Sequence, residues 1–159
     1  MQERYSRQVL FKQIGLKGQS QLEKKHVLIV GMGALGTHLA EGLVRAGINK
    51  LTIVDRDYIE FSNLQRQTLF TESDACEALP KVIAAQNALQ RIRSDINLHA
   101  FIEHVNYHFL ENHAKEVDLI IDATDNFDTR QLINDFSYKY QIPWTVSYTH
   151  LTLPTTPYV

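Results

Sequence analysis

The chain has 159 residues, of which 44% are hydrophobic and 21% charged, with a formal net charge of −2 and one cysteine. This composition indicates a globular domain and excludes a disordered chain, a disulfide framework and a broad cationic surface, so we expect no nucleic-acid and no membrane partner. A charged N-terminus without the apolar core of a secretory signal, and no apolar run of bilayer length, indicate a cytoplasmic protein.

The first predicted unit follows an N-terminal helical arm, which we assign to residues 1–25. The apolar run 26–30, which is rich in β-branched residues and stops at a glycine, predicts a buried parallel strand. Apolar residues at helical spacing predict a helix over 34–46. A second strand, 51–55, then completes a βαβ unit.

Strands and helices continue to alternate downstream. Helices are predicted over 80–93, with Pro80 at the first helical position, and over 125–141. Strands are predicted over 97–103, 117–124 and 142–146. This alternation predicts an α/β fold, a Rossmann-like, doubly wound and mainly parallel sheet with helices on both faces.

The sheet pattern stops abruptly after Trp144. A doubly wound domain ordinarily continues, so we expect the Rossmann-like domain, residues 26–146, to be incomplete and truncated at its C-terminus. Residues 147–159 are rich in threonine, hold two prolines and have no apolar period. We expect this segment to be a non-native or disordered tail.

A glycine turn lies between the first strand and the first long helix. Gly31-x-Gly33-x-x-Gly36 opens the helix, and Asp55 ends the next strand, which is the dinucleotide fingerprint in its usual context. The glycines let backbone amides approach phosphate, and Asp55 can accept from ribose hydroxyls. The alternative is that the glycines only allow close packing of helix on strand. The fingerprint alone does not separate nicotinamide dinucleotides from ATP.

The polar segment DRDYIEFSNLQRQ, residues 55–67, follows the second strand. Ser62 and Gln65 match a capping box, which is a sufficient reason for those two residues. If Ser62 caps a short helix, Asn63 lies at its anion-binding N-terminus and Arg66 in the next turn. A guanidinium there can form paired hydrogen bonds with phosphate oxygens.

Two further polar residues lie at the edges of predicted elements. Lys81 falls in the first turn of a helix, which is unfavourable unless an anion lies beside it; a solvated lysine is the alternative. Asp125 follows a buried strand at the sheet edge where doubly wound folds bind ligands. It either caps the next helix or provides an oxygen ligand for magnesium on a triphosphate.

The remaining candidates are interpreted as incidental. Cys76 lies in a polar stretch without an evident base, so we do not expect a thioester or persulfide role. His104, His108 and His113 lack acidic or cysteine partners at metal-ligand spacing, which indicates a solvated cluster.

Taken in this order, the motifs resemble those of a known family. With RYSRQ at residues 4–8, the glycine turn, DRDYIEFSNLQRQ, the Pro80–Lys81 pair and DATDN at 122–126, residues 4 to about 144 resemble the ThiF/MoeB family. Its members are the ubiquitin-activating-like adenylyltransferases of thiamine and molybdopterin biosynthesis. Ala34 stands where many members have another glycine. The resemblance implies that residues 26–146 form an ATP-binding adenylation domain, and that the family's cysteine-bearing and zinc-binding regions would lie beyond this chain.

The resemblance also implies a reaction and its groups. ATP would activate the C-terminal glycine carboxylate of a small ubiquitin-fold sulfur-carrier protein, giving an acyl-adenylate and pyrophosphate. Asp125 would hold magnesium, and Arg7 would come from the partner subunit of a homodimer. Catalysis would involve Arg66, Lys81, Asp125 and Arg7, and ATP would be bound by Gly31, Gly33, Ala34, Gly36, Asp55, Asn63, Arg66, Lys81, Asp125 and Asn126. No general base is required, because a carboxylate with a pKa of about 4 is already ionised at neutral pH.

Two other functions remain as alternatives. An NAD(P)-dependent oxidoreductase would share the first βαβ unit, but it would leave Arg66, Lys81 and Asp125 without a common purpose. A non-catalytic partner subunit would keep the fold and lend its arginine to an active subunit, and its ATP contacts should be eroded.

Overall fold

The computed structural model describes residues 3–147, which form a five-stranded sheet in the order β3-β2-β1-β4-β5. All four neighbouring pairs are parallel. The strands are β1 (His26–Val30), β2 (Lys50–Val54), β3 (Asn97–Phe101), β4 (Leu119–Asp122) and β5 (Trp144–Val146). The chain builds outward from β1 to β3 and then crosses back to β4, so the order reverses between β1 and β4. The predicted doubly wound fold is confirmed.

Residues 3–147 also form seven α-helices and one short 3₁₀ turn; the first two helices precede β1, and the other elements lie between strands. They are α1 (Ser6–Val9), α2 (Gly15–Leu22), α3 (Ala34–Ala46), the 3₁₀ turn (Phe61–Asn63), α4 (Glu72–Cys76), α5 (Lys81–Ile92), α6 (Tyr107–His113) and α7 (Phe127–Tyr140). Helix α3 has its predicted bounds and ends at Gly47, whose φ of 105° is the left-handed conformation that glycine favours. Across the described chain, no helix is long and apolar enough to cross a membrane.

Both faces of the sheet are covered, which explains why β1 is buried along its whole length. Val27 and Ile29 pack with α3 and α5 on one face, and Leu28 and Val30 pack with α6 and α7 on the other. Leu28 and Ile29 have no exposed surface. Truncation of either to alanine would cost about 2–5 kcal/mol of unfolding free energy.

The N-terminal arm consists of α1 and α2 and is fastened to the C-terminal end of α3. The side-chain amides of Gln8 and Gln19 both donate to the carbonyl of Ala46, at 2.9 and 3.2 Å. The Arg4 guanidinium donates to the carbonyl of Ile92, at the end of α5. The arm is therefore held by three side-chain hydrogen bonds to helix ends.

Several predicted boundaries are corrected by the structure. The strand predicted over 97–103 ends at Phe101, because Phe101 pairs with the last residue of β2, Val54. The strand predicted over 117–124 is limited to β4. Pro80 precedes α5 as its N-cap and is not the first helical residue. Residues 148–159, most of the predicted tail, lie outside the described residues.

Candidate functional site

A cleft of about 550 Å³ opens at the carboxyl ends of β1, β2 and β4, where the strand order reverses. Open α/β sheets bind ligands at this position. Among the predicted site residues, only Arg7 and Gly36 do not line it. The lining includes Gly31, Gly33, Ala34, Asp55, Asn63, Arg66, Lys81, Asp125 and Asn126. These predicted residues come from five separate chain segments that meet in one cleft.

The three glycines of the turn have different roles. Gly31 has a φ of +94°, and an added Cβ there would lie 3.0 Å from the carbonyl oxygen of Ala123. Gly33 is the N-cap of α3, and an added Cβ there would meet nothing within 4 Å. The turn is therefore open on the side of Gly33, where a ligand can approach the N-terminus of α3.

Gly36, which was predicted to bind nucleotide, lies in the packing between α3 and the end of β1. It is buried and absent from the cleft lining. An added Cβ would lie 2.0 Å from the carbonyl oxygen of Gly31. The packing alternative raised for the glycines applies to this one, because only glycine lets α3 approach the end of β1 so closely.

Asp55 links the glycine turn to the loop after β2. Its Oδ2 accepts from the backbone N–H of Met32 at 2.7 Å, and its Oδ1 accepts from the N–H of Asp57 at 2.9 Å. Each carboxylate oxygen has a second lone pair and can accept another hydrogen bond. The Asp55 side chain is thus fixed in place while keeping acceptor capacity at the cleft.

The capping box predicted for Ser62 and Gln65 is wrong. The N-cap of the 3₁₀ turn is Glu60, and the box joins Glu60 to Asn63, whose Oδ1 accepts from the Glu60 N–H at 3.1 Å. Asn63 is therefore a buried residue at the end of the turn.

Arg66 is exposed, and its Nη1 donates to the carbonyl of Ser62 at 3.0 Å. This bond leaves the other guanidinium nitrogens of Arg66 unpaired within the described chain.

Lys81 is the first residue of α5, and the solvated-lysine alternative is wrong. Its side chain is only 10% exposed, and its Nζ lies 3.1 Å from Oδ2 of Asp57. Asp57 is the anion that the position of Lys81 at a helix N-terminus requires. Sequence reasoning missed Asp57, although its position two residues after Asp55, in a segment with a phosphate-binding pattern, was a usable signal.

Asp125 is exposed and makes no hydrogen bond or ion pair within residues 3–147, although it was expected either to cap α7 or to bind magnesium. The cap of α7 is instead Asn126, whose Oδ1 accepts from the N–H of Thr129 at 3.1 Å. No group of three or more His, Cys, Asp or Glu side chains in the described residues is placed to hold a metal by itself. A single free carboxylate does fit magnesium, which is commonly held by one or two carboxylates together with substrate phosphates.

An ion pair between the buried Asp122 and the partly exposed Arg130 supports the loop that carries Asp125. Asp122 has no exposed surface, and its Oδ2 accepts from Nε of Arg130 at 3.0 Å. Its Oδ1 accepts from the backbone N–H and the hydroxyl of Thr124. Sequence reasoning missed this pair, since an aspartate in a buried strand needs a partner that spacing alone does not identify.

The other candidates lie apart from these groups. Arg7 is exposed on α1 and Cys76 is exposed at the end of α4, and neither lines the cleft. The three histidines do not form the predicted solvated cluster. His104 lines the cleft, His108 pairs with Asn112, and His113 packs on the rings of Phe101 and Phe109, with centroids 4.3 and 4.7 Å away.

Comparisons with known proteins point to one family. The profile of the ThiF family matches residues 5–150. The chain is 45% identical over 144 residues to the sulfur carrier protein ThiS adenylyltransferase of Bacillus subtilis, covering 91% of this chain and 43% of that protein. It is 42% identical over 131 residues to the Escherichia coli protein of the same name, covering 82% of this chain and 51% of that protein.

A solved structure supports the same relationship. The crystal structure of E. coli MccB with ATP superposes with a TM-score of 0.82 at 29% identity, covering 91% of this chain and 44% of that one. E. coli TcdA, a tRNA N6-threonylcarbamoyladenosine dehydratase, superposes with a TM-score of 0.83 at 20% identity, which shows a shared fold. The chain spans about half the length of the relatives that it matches.

Proposed function

The chain belongs to the ThiF family, and from that premise we propose that it provides the ATP-binding part of an enzyme that adenylates a small ubiquitin-fold sulfur-carrier protein. The C-terminal glycine carboxylate of the carrier would attack the α-phosphorus of ATP. An acyl-adenylate would form, and pyrophosphate would leave. The named adenylyltransferases among its relatives support this choice of substrate class.

One observation carries the proposal. The cleft joins the glycine turn, two cationic side chains and a carboxylate that has no partner within residues 3–147, contributed by segments far apart in sequence. A nicotinamide-dependent oxidoreductase needs the glycine turn and Asp55. It gives no reason for Arg66, Lys81 and Asp125 to converge on the same space.

Each group has a role that its surroundings allow. Asp55 would accept from the ribose hydroxyls, and the open N-terminus of α3 at Gly33 would approach the phosphates. Arg66, with guanidinium nitrogens unpaired within residues 3–147, and Lys81 would bind triphosphate oxygens and stabilise the charge that develops on the α-phosphoryl group. Asn63, buried beside Arg66, would position that segment and the phosphates.

Magnesium, if bound, would be held by Asp125 and would neutralise part of the triphosphate charge. Within residues 3–147, no other group pairs with the Asp125 carboxylate, which leaves it available to the metal. Asn126 supports the arrangement by capping α7, so Asp125 is not needed for that purpose.

The remaining catalytic group, Arg7, lies outside the cleft, and we propose that it enters from the partner subunit of a homodimer.

The proposal is tested by ATP–pyrophosphate exchange with the full-length protein, magnesium and a sulfur carrier that ends in two glycines. We expect exchange with this carrier and none with the same carrier lacking its last glycine. Arg66→Ala should abolish exchange. Arg45→Ala is the matched control, because Arg45 is exposed, pairs with Glu41 on α3 and lies outside the cleft.

Two results would overturn the proposal. Tight binding of NADH without any binding of ATP would favour an oxidoreductase. Exchange that appears only after a second, related subunit is added, and that survives Arg66→Ala, would identify this chain as the non-catalytic partner.

A further inference from the structure

The contact between Lys81 and Asp57 joins a buried cation to an exposed acid. The Lys81 side chain is 10% exposed and that of Asp57 58% exposed, and Nζ lies 3.1 Å from Oδ2. The two residues are also joined through their backbones, because the N–H of Lys81 donates to the carbonyl of Asp57 at 2.9 Å. The side-chain contact is therefore supported by a main-chain contact 24 residues apart in sequence.

The location of Lys81 explains why its ammonium needs a partner. It is largely removed from water, and it lies at the N-terminus of α5, where the helix dipole disfavours a positive charge. An ammonium has three hydrogen-bond donors, and in residues 3–147 one of them is used by Asp57. Two donors remain for a ligand in the cleft.

Asp57 is itself held in a fixed relation to the nucleotide site. Its backbone N–H donates to Oδ1 of Asp55, and the other oxygen of Asp55 accepts from Met32 in the glycine turn. The glycine turn, Asp55, Asp57 and Lys81 thus form one chain of hydrogen bonds. Any displacement of Asp57 changes where the Lys81 ammonium lies relative to the turn.

We propose that Asp57 is a positioning residue for ATP, acting through Lys81. Its carboxylate holds the ammonium of Lys81 at the cleft before the nucleotide arrives, so that binding does not have to order a long, flexible side chain. Arranging a group in advance raises affinity by reducing this cost. The inference rests on the proposed function, because it assumes that the ligand is a nucleotide triphosphate.

The test is titration calorimetry of magnesium–ATP into the full-length protein and its variants. We expect Asp57→Ala to raise the Kd for ATP about tenfold, and Asp57→Asn, which keeps an oxygen acceptor, to stay within about threefold of the unmodified protein. Rescue by asparagine separates positioning from a requirement for negative charge.

Asp95→Ala is the matched control. Asp95 is also an exposed acid that pairs with a nearly buried cation, Arg93, but the pair lies outside the cleft. We expect both Asp95→Ala and Asp57→Ala to lower the melting temperature, but only Asp57→Ala to raise the Kd for ATP.

A double-mutant cycle tests whether Asp57 acts through Lys81. In a Lys81→Ala background, Asp57→Ala should raise the Kd no further. A further tenfold rise, or a Kd in Asp57→Ala equal to or below that of the unmodified protein, would overturn the inference. Failure of the unmodified protein to bind ATP would overturn the proposed function itself. If ATP binds and the double-mutant cycle gives the expected result, but no carrier-dependent exchange occurs, the proposed carrier substrate is refuted and the role of Asp57 remains supported.

Discussion

Gly36 lies so close to the carbonyl oxygen of Gly31 that an added Cβ would be 2.0 Å from it, whereas a Cβ added to Gly33 would meet nothing within 4 Å. Only the close approach at Gly36 is part of the packing of the fold. Gly36 is therefore required for packing, whereas the space beside Gly33 is open to a ligand.

Alanine substitutions of the two glycines should affect different properties, stability for Gly36 and ATP binding for Gly33. Gly36→Ala should lower the unfolding free energy by about 3 kcal/mol, because backbone must move to make room. Gly33→Ala should cost no more than about 1 kcal/mol but should weaken ATP binding, because its methyl group would stand where phosphate approaches. Urea unfolding and ATP titration measure both effects. Equal destabilisation by the two variants would contradict this division.

Asp125 and Asp122 lie three residues apart and should respond differently to substitution. Asp125→Ala should abolish carrier-dependent exchange while changing the unfolding free energy by less than about 0.5 kcal/mol, because its carboxylate has no partner in the described chain. Asp122→Ala should lower the unfolding free energy by about 1–3 kcal/mol, because it removes a fully buried carboxylate that accepts from the N–H and the hydroxyl of Thr124. Unchanged exchange in Asp125→Ala would refute its assignment as the magnesium ligand.

The position of Arg7 outside the cleft leads to a complementation test. Arg7→Ala and Lys81→Ala homodimers should each be inactive. If Arg7 acts on the partner's site, every mixed dimer contains one intact site, so random mixing should restore roughly a quarter of the normal exchange rate. Absence of recovery in a verified mixed dimer would count against this geometry.

His26 gives the stability a dependence on pH. It is buried, its Nε2 lies 2.8 Å from the Thr52 hydroxyl, and burial, together with the nearby charges of Lys50 and His99, lowers its pKa from the ordinary 6.5. Because the folded-state pKa is lowered, its contribution is present above pH 6.5 and is lost as the pH falls through the folded-state value. His26→Gln should therefore flatten the acid side of the stability curve. Urea unfolding at several pH values from about 7.5 to 5.5 tests this, and parallel curves for the two proteins would refute it.

Periodicity and glycine placement were sufficient to predict most of the fold. Strand β1 and helix α3 have their predicted bounds. The continuous apolar run of β1 and the apolar stripe of α3 follow from which of their residues are buried. Capping was predicted less well. The box forms at Glu60 because Ile59 is buried and its N–H is bonded to the carbonyl of Leu79, which sets where the turn begins.

Ion pairs between side chains from different elements were not predictable from sequence spacing. Asp57 and Lys81, and likewise Asp122 and Arg130, meet only after the sheet and its helices have packed. Sequence shows that a lysine at a helix start needs an anion, but it does not show which one. The candidate site was therefore predicted as a set of ligand-binding groups, and the contacts that hold those groups in place came from the structure.

The strand order also has a consequence for how the cleft is assembled during synthesis. The contact between Met32 and Asp55 links residues 23 apart, whereas that between the start of β1 and Asp118, just before β4, links residues 92 apart. Because distant pairings form late and a chain emerges from its N-terminus, we expect the glycine turn and Asp55 to be in place while the segment with Asp125 is still unsynthesised. The nascent protein would thus complete the half of the cleft that contains the glycine turn first and the half that contains Asp125 last.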